Sequence, residues 1–291
     1  MASDFEAQVR EANDKINART GRPLLLAIAV GLALGFALLF SLIVVKELYM
    51  VFAAVLIGFT AFELASALRF AGRDVPRFPT VVAALAVVPA SFFWLGAGHL
   101  LVTLAGVALI AVWRLVELFS PSRRGTKRSV LLDLAAGAFI MVYVAFMAGF
   151  TVLLTAQDGG QWWTLAFLIV VISVDTGAYA TGVAFGKHPM APVISPKKTW
   201  EGFAGSVSAA IIAGILLAVF MLQQPWWVGL ILGVTMVATA TAGDLTESLI
   251  KRDLGIKDIS TWLPGHGGFL DRVDSSLLSA AAAYALFVVF A

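Results

Sequence analysis

The residues best suited to chemistry lie in the last third of the chain, where acidic, basic and hydroxyl side chains recur at helical spacing. Asp244, Glu247, Ser248 and Lys251 are three to four residues apart, which places them on one face of a helix. Taken alone, this stripe is typical of a solvated helix end with local ion pairs. The same groups could instead bind a divalent cation and phosphates, because magnesium takes hard oxygen ligands and substrate phosphates complete its shell.

A glycine-rich loop follows this stripe. Three glycines and a proline surround His266, and bare backbone of this kind can approach a phosphate or a nucleotide closely. Asp271 and Asp274 then open the last hydrophobic segment, three residues apart. Helix capping is one explanation for these two carboxylates. Asp271, together with Asp244, also offers oxygen ligands of the type that magnesium requires.

A second polar block lies upstream. Asp175 falls inside a hydrophobic segment, where an acid is costly and is a functional hypothesis by default. A hydrogen-bonded core acid is the alternative reading. Lys197 and Lys198 occupy a Ser-Pro-Lys-Lys-Thr sequence directly before another hydrophobic segment. They could bind phosphate groups, or they could anchor the chain to anionic lipids.

The elements that position these residues must be membrane helices. Of the 291 residues, 60% are hydrophobic and 13% are charged, against roughly 25% charged in an ordinary soluble domain. The apolar residues form blocks of about 17 to 25, close to the roughly 20 residues that a helix needs to cross the hydrocarbon core. A β-barrel would show alternating polarity, which these blocks lack. We predict an all-α, polytopic integral membrane helix bundle with about nine transmembrane helices, at 24–45, 47–70, 79–95, 99–119, 131–155, 162–186, 202–222, 226–250 and 275–290.

The basic residues predict an orientation. Lys and Arg favour retention of a loop on the cytoplasmic side, and all of the 20 basic residues except Lys46 and Arg114 fall on one side of the predicted membrane. This distribution predicts a cytoplasmic N-terminus. The predicted organisation is a polar cytoplasmic arm at 1–22, N-terminal transmembrane helices at 23–130, and a catalytic transmembrane region at 131–291 with cytoplasmic loops 187–201 and 251–274.

Two further acids are interpreted as structural. We expect Arg114 and Glu117, three residues apart inside the fourth predicted span, to form an intramembrane ion pair. Glu63 is expected to form a similar pair or to help hold helices together. The chain has no cysteine, which excludes disulfides, thiolate nucleophiles and cysteine metal sites.

The two polar blocks resemble the signature of bacterial phosphatidate cytidylyltransferases, also called CDP-diacylglycerol synthases. The C-terminal motif that carries the resemblance comprises Ser248-Leu249-Ile250-Lys251-Arg252, Lys257-Asp258 and Pro264-Gly265-His266-Gly267-Gly268-Phe269-Leu270-Asp271-Arg272-Val273-Asp274. The upstream motif comprises Asp175-Thr176-Gly177-Ala178-Tyr179, Gly186-Lys187-His188 and Ser195-Pro196-Lys197-Lys198-Thr199-Trp200-Glu201-Gly202. The N-terminal half fits the family by architecture only.

The resemblance implies a nucleotidyltransferase of phospholipid biosynthesis, which transfers CMP from CTP to phosphatidate and yields CDP-diacylglycerol and pyrophosphate. It implies Mg2+ as cofactor, with a monovalent cation such as K+ as a further candidate, and a homodimer. It also implies a multi-pass protein of the bacterial inner membrane whose active site faces the cytoplasm. We expect CTP, phosphatidate and anionic membrane lipids as partners, and no nucleic acid.

The motif positions give the expected site residues. The expected metal ligands are Asp244, Asp271 and Asp175. The expected catalytic residues are Asp244, Asp271, Lys251, Arg252, His266 and Arg272. The expected substrate-binding residues are Asp175, Ser195, Lys197, Lys198, Thr199, Glu201, Ser248, Lys257, Asp258, Gly265, Gly267, Gly268 and Asp274.

Two other functional classes share some of these sequence features. Another CTP-using membrane lipid kinase or cytidylyltransferase would share the need for triphosphate binding. A membrane transporter would also place acids and helix-breaking glycines within spans, but it predicts polar residues near the bilayer midplane and two matching halves. Here the polar residues crowd one end of the predicted helices and the halves do not match.

Overall fold

The computed structural model describes residues 24–120, 126–260, 262 and 267–291, so the predicted arm at 1–22 lies outside it. Within these ranges the chain is a bundle of helices, which confirms the predicted fold class. The helices are α1 (Leu24–Ile43), α2 (Leu48–Phe70), α3 (Arg77–Phe93), α4 (Leu95–Glu117), α5 (Lys127–Ile140), α6 (Met147–Ala156), α7 (Gly160–Phe185), α8 (Trp200–Phe220), α9 (Trp226–Asp253) and α10 (Leu270–Phe290).

Seven helical stretches of the described chain are long and apolar enough to cross a membrane. One of them joins α5 and α6, which are continuous through a π-helical turn at Met141–Phe146. Two further apolar helices, in α1 and α3, are shorter. Every predicted span therefore coincides with helix, while the count of nine spans and the cytoplasmic N-terminus stay predictions.

Close packing of the last helices depends on glycine. A methyl group on Gly214 of α8 would collide with the carbonyl oxygen of Gly229 of α9, and a methyl group on Gly229 would collide with that of Gly214. Small residues allow membrane helices to approach backbone to backbone. A methyl group on Gly243 of α9 would likewise collide with the carbonyl oxygen of Asp274 in α10. This contact brings the acidic ends of α9 and α10 together.

A β-hairpin interrupts the helical pattern within the predicted cytoplasmic loop 187–201. Strands β1 (Pro189–Ala191) and β2 (Ser195–Thr199) pair antiparallel, with an irregularity in register between Pro189 and Ala191. The residues of β2 are Ser-Pro-Lys-Lys-Thr, which show no alternation of apolar and polar side chains. The periodicity of apolar residues therefore does not predict a strand in this segment. The connection expected at 251–274 is also shorter than predicted, because α9 extends to Asp253 and α10 begins at Leu270.

The expected pairing of Arg114 with Glu117 is wrong. Arg114 is buried, and its Nε and Nη2 atoms lie 3.0 and 2.8 Å from Oδ2 of Asp133 in α5. Glu117 instead accepts a hydrogen bond from Nε1 of Trp113, at 3.2 Å. Arg114 faces the bundle interior, where an acid from another helix is available. Spacing within one helix cannot identify such a partner.

Candidate active site

A polar cavity of about 410 Å3 lies between α7, α8, α9, α10 and the hairpin. Its lining includes four carboxylates and three basic side chains, which are Asp175, Asp244, Asp271, Asp274, Lys197, Lys198 and Arg272. Residues distant in sequence thus contribute to one site. Strongly mixed charge in a concave site between membrane helices is typical of a binding site for charged ligands.

The hairpin positions its lysines at the cavity because the end of β2 is fixed to the start of α8. Thr199 is the N-cap of α8, and its hydroxyl accepts a hydrogen bond from the backbone N–H of Gly202, at 3.1 Å. Such a cap satisfies a backbone donor that the first turn of a helix leaves free. The chain therefore passes from β2 into α8 in one defined direction, with Lys197 and Lys198 on the cavity side.

An ion pair connects the hairpin to α9. Nζ of Lys198 lies 2.6 Å from Oδ2 of Asp244, and both side chains are partly exposed. Ser248, one turn further along α9, donates a hydrogen bond from Oγ to Oδ1 of Asp244, at 3.3 Å. Both oxygens of this carboxylate are thus engaged by the protein. The arrangement fixes an acid and a lysine side by side at the cavity wall.

A three-residue network connects α9 to α10. Nζ of Lys251 lies 2.5 Å from Oε2 of Glu247 and 3.0 Å from Oδ1 of Asp271. Oδ2 of Asp271 accepts the backbone N–H of Gly268, at 2.8 Å. Glu247 is only 1% exposed. Two carboxylates that share one lysine keep its ammonium group in place and hold Asp271 at the cavity wall.

The start of α10 is fixed by an acid from α2. The carboxylate of Glu63 accepts the backbone N–H of Phe269 at 3.0 Å and that of Leu270 at 2.9 Å, and also the hydroxyl of Ser260. Phe59, one turn earlier, stacks on the ring of Phe269 with the centroids 4.7 Å apart. Glu63 is buried. The expectation that Glu63 helps to hold helices together is confirmed, and the helix it positions carries Asp271.

Similarity to known proteins identifies the family of this chain. A model of the cytidylyltransferase family matches residues 26–290. The chain belongs to this family. It is 41% identical over 276 residues to the phosphatidate cytidylyltransferase of Mycobacterium bovis. The matched region covers 91% of this chain and 89% of that protein. The Mycobacterium leprae protein of that name is 38% identical over 92% of this chain. The Brucella suis protein of that name is 39% identical over 158 residues, or 54% of this chain.

In this cytidylyltransferase, the structure gathers most of the expected site residues. Those that line the cavity are Asp175, Lys197, Lys198, Thr199, Asp244, Asp271, Arg272 and Asp274. Ser248, Lys251 and Gly268 contact cavity carboxylates directly. Gly267 has a φ of +83° and adjoins Asp271, so a larger side chain at this position would be strained.

Other expected residues contact the protein away from the cavity. Nε of Arg252 donates to the carbonyl oxygen of Ile194 in the hairpin turn, at 3.3 Å. Glu201 accepts Nδ1 of His188 at 2.5 Å and the backbone N–H groups of Lys187 and His188. Ser195 lies at the start of β2, and Lys257 and Asp258 are exposed between α9 and α10. Gly265 and His266 lie outside the described residues.

Two residues of structural importance for the site were missing from the expected set. Glu247 could have been found, because its i,i+4 spacing to Lys251 was visible in the stripe on α9. The partners of Glu63 could not be predicted, since Glu63 lies about two hundred residues before the backbone groups that it binds. Its isolation as an acid in an apolar segment was the available signal.

The cavity carboxylates fit magnesium by donor type, because hard oxygen ligands are what this ion takes. Within the described ranges, no group of three or more acidic or histidine side chains is gathered closely enough to form a metal site. Asp244 and Asp271 are each paired with a lysine. Asp175 forms no hydrogen bond or ion pair in the described part of the chain. The assignment of Asp175, Asp244 and Asp271 as metal ligands therefore stays a prediction.

Proposed function

We propose that this chain is a phosphatidate cytidylyltransferase, which transfers CMP from CTP to phosphatidate and releases pyrophosphate. Its relatives of that name cover most of the chain. The structural observation that carries the proposal is the cavity lined by four carboxylates together with Lys197, Lys198 and Arg272. Joining two anionic substrates requires such a site, because bare phosphates repel one another.

In the proposed reaction an oxygen of the lipid phosphate attacks the α-phosphorus of CTP. A new P–O bond forms there, the bond between the α-phosphorus and the oxygen that bridges to the β-phosphorus breaks, and pyrophosphate leaves. The lipid phosphate is already ionised at neutral pH, so the reaction requires no strong general base. Positioning and charge stabilisation therefore supply most of the rate enhancement.

The basic residues of the cavity provide positive charge for both substrates. Lys198 is held at the cavity by Asp244, and Lys251 keeps Asp271 in place from the neighbouring helix. Arg272 follows Asp271 in the first turn of α10, and its planar guanidinium suits bidentate contact with phosphate. Magnesium held by Asp175, Asp244 and Asp271 would neutralise the triphosphate and the developing charge on pyrophosphate.

The chain is a multi-pass membrane protein, as the seven long apolar helices among its described residues indicate. Our proposal places it in a bacterial inner membrane with the cavity open to the cytoplasm, where CTP is found. The bias of Lys and Arg to one side of the predicted spans supports this orientation. A homodimer is part of the proposal through the family resemblance alone.

The proposal predicts that the purified protein in detergent, with magnesium, releases pyrophosphate only when CTP and phosphatidate are both present. Pyrophosphate would be followed by a coupled enzymatic assay, and the lipid product by mass spectrometry. Reactions lacking one substrate serve as controls. Release that does not depend on phosphatidate would indicate CTP hydrolysis, and no release from folded protein would contradict the proposal.

A further inference from the structure

A π-helical turn interrupts the spanning stretch made of α5 and α6. It covers Met141–Phe146, and Met141, Val144 and Ala145 within it are fully buried. Such turns are rare inside α-helices and are frequent at functional sites. Their wider hydrogen-bond spacing changes which side chains face a neighbouring helix. The one polar side chain in this turn is that of Tyr143.

The hydroxyl of Tyr143 is buried and faces the acids of the candidate active site. Tyr143 is 6% exposed, and its ring stacks on that of Phe139 with the centroids 5.2 Å apart. The charges that act most strongly on its hydroxyl are those of Asp274, Glu247 and Asp244. The hydroxyl oxygen has no hydrogen-bond partner within the described ranges. A buried phenol normally has one, because an unmet buried polar group costs free energy.

Glu247 carries the complementary unpaired atom. Its Oε2 contacts Nζ of Lys251, which also contacts Asp271, whereas its buried Oε1 has no hydrogen-bond donor in the part of the chain that the structure describes. Asp274 differs from it, because Oδ1 of Asp274 accepts the backbone N–H of Ser275 at 2.7 Å and the side chain lines the polar cavity, where a ligand can reach it. Glu247 does not line that cavity.

A donor without an acceptor and an acceptor without a donor therefore lie in one buried region. The two atoms are not in direct hydrogen-bond contact. A buried water typically makes about three hydrogen bonds to polar groups that otherwise lack partners, and a bond through water is nearly as favourable as a direct one. One water can thus accept the phenolic hydrogen of Tyr143 and donate to Oε1 of Glu247.

We infer that Tyr143 is a positioning residue of the active site, whose hydroxyl holds Oε1 of Glu247 through one bridging water. The last torsion of a glutamate side chain is otherwise soft. With Oε1 fixed, Oε2 keeps Lys251 beside Asp271, and Asp271 stays at the cavity wall. The effect on catalysis rests on the proposed function, whereas the pairing of Tyr143 with Glu247 does not.

Tyr143→Phe tests this inference, because it removes the hydroxyl and keeps the ring that stacks on Phe139. We expect kcat for CDP-diacylglycerol formation to fall about tenfold, the scale of one lost hydrogen bond in an ionic network. The KM values for CTP and phosphatidate should stay at the wild-type values, since Tyr143 does not line the polar cavity. Tyr284→Phe is the matched control and should leave all three constants unchanged, because Tyr284 packs its ring on Phe150 and lies outside that cavity.

The Glu247→Leu background separates positioning from packing. Leucine is similar in volume to glutamate and offers no acceptor. If Tyr143 acts through Glu247, Tyr143→Phe should cause no further loss of kcat in this background, since residues that act through one hydrogen bond are not additive. An equal loss in both backgrounds, or an unchanged kcat in folded Tyr143→Phe, would overturn the inference.

Thermal unfolding of the same proteins keeps the inference testable if Glu247→Leu has no measurable activity. Tyr143→Phe should lower the unfolding temperature of the wild type and leave that of Glu247→Leu unchanged, because the bridging water has lost its acceptor there. Equal shifts in both backgrounds would overturn the pairing. Wild-type protein that forms no CDP-diacylglycerol would instead contradict the proposed function, and the unfolding temperatures would still decide whether Tyr143 and Glu247 are paired.

Discussion

Asp271→Asn is expected to lower the kcat for CDP-diacylglycerol formation by about 10²- to 10³-fold, which is the usual cost of losing one electrostatic contact to a reacting centre. Asparagine keeps the shape of the side chain and can still accept the N–H of Gly268. The change removes the negative charge that Lys251 contacts from α9. It also removes an oxygen ligand from the predicted magnesium site.

The measurement is kcat for CDP-diacylglycerol formation at saturating CTP and phosphatidate, together with thermal unfolding of each protein. Asp158→Asn is the matched control, because Asp158 is exposed in the turn before α7 and lies outside both motifs. The control should retain wild-type kcat. Retention of more than half of wild-type kcat by folded Asp271→Asn would show that this carboxylate has no part in the chemistry.

Glu63→Gln should reduce both stability and turnover, although Glu63 does not line the polar cavity. A carboxylate accepts from Phe269 and Leu270 through its two oxygens, whereas an amide has one oxygen and turns its NH2 group toward the other donor. A buried N–H left without a partner costs about 1–3 kcal/mol. Since α10 begins at these donors, we expect its first turn to shift, and kcat to fall about tenfold.

Glu117→Gln is the control for this variant, because among the described residues Glu117 is bonded only to its helical neighbour Trp113. Thermal unfolding and kcat, the latter measured well below the unfolding transition, separate loss of fold from loss of positioning. Glu63→Gln with a lowered unfolding temperature and unchanged kcat would reduce Glu63 to a purely structural residue. An unfolding temperature equal to that of the wild type would contradict the contact itself.

Much of the fold was predictable because the signal is local. A run of about 20 apolar residues predicts a helix regardless of its neighbours, and the predicted spans all coincide with helices. The stripe on α9 was predictable for the same reason, since Asp244, Ser248 and Lys251 repeat at helical spacing. The motif resemblance added Lys198 from a segment that no spacing rule connects to α9.

The remaining features depend on contacts between distant parts of the chain. Arg114 binds Asp133 of another helix, and Glu63 binds the start of α10 from α2. Neither pairing follows from spacing within one helix. The β-hairpin was missed because Ser-Pro-Lys-Lys-Thr has no strand periodicity. The close approach of α9 to α10 depends on a single glycine, Gly243, whose role is visible only beside Asp274.

The most direct test of the proposed function follows the phosphorus atoms of CTP. Purified protein would be given phosphatidate with CTP labelled at the α-phosphate in one reaction and at the γ-phosphate in a parallel one. We predict that α-label enters the lipid product while γ-label leaves in pyrophosphate, because the bond between the α- and β-phosphates is the one that breaks. Transfer of γ-label to the lipid would identify a lipid kinase and would contradict the proposal.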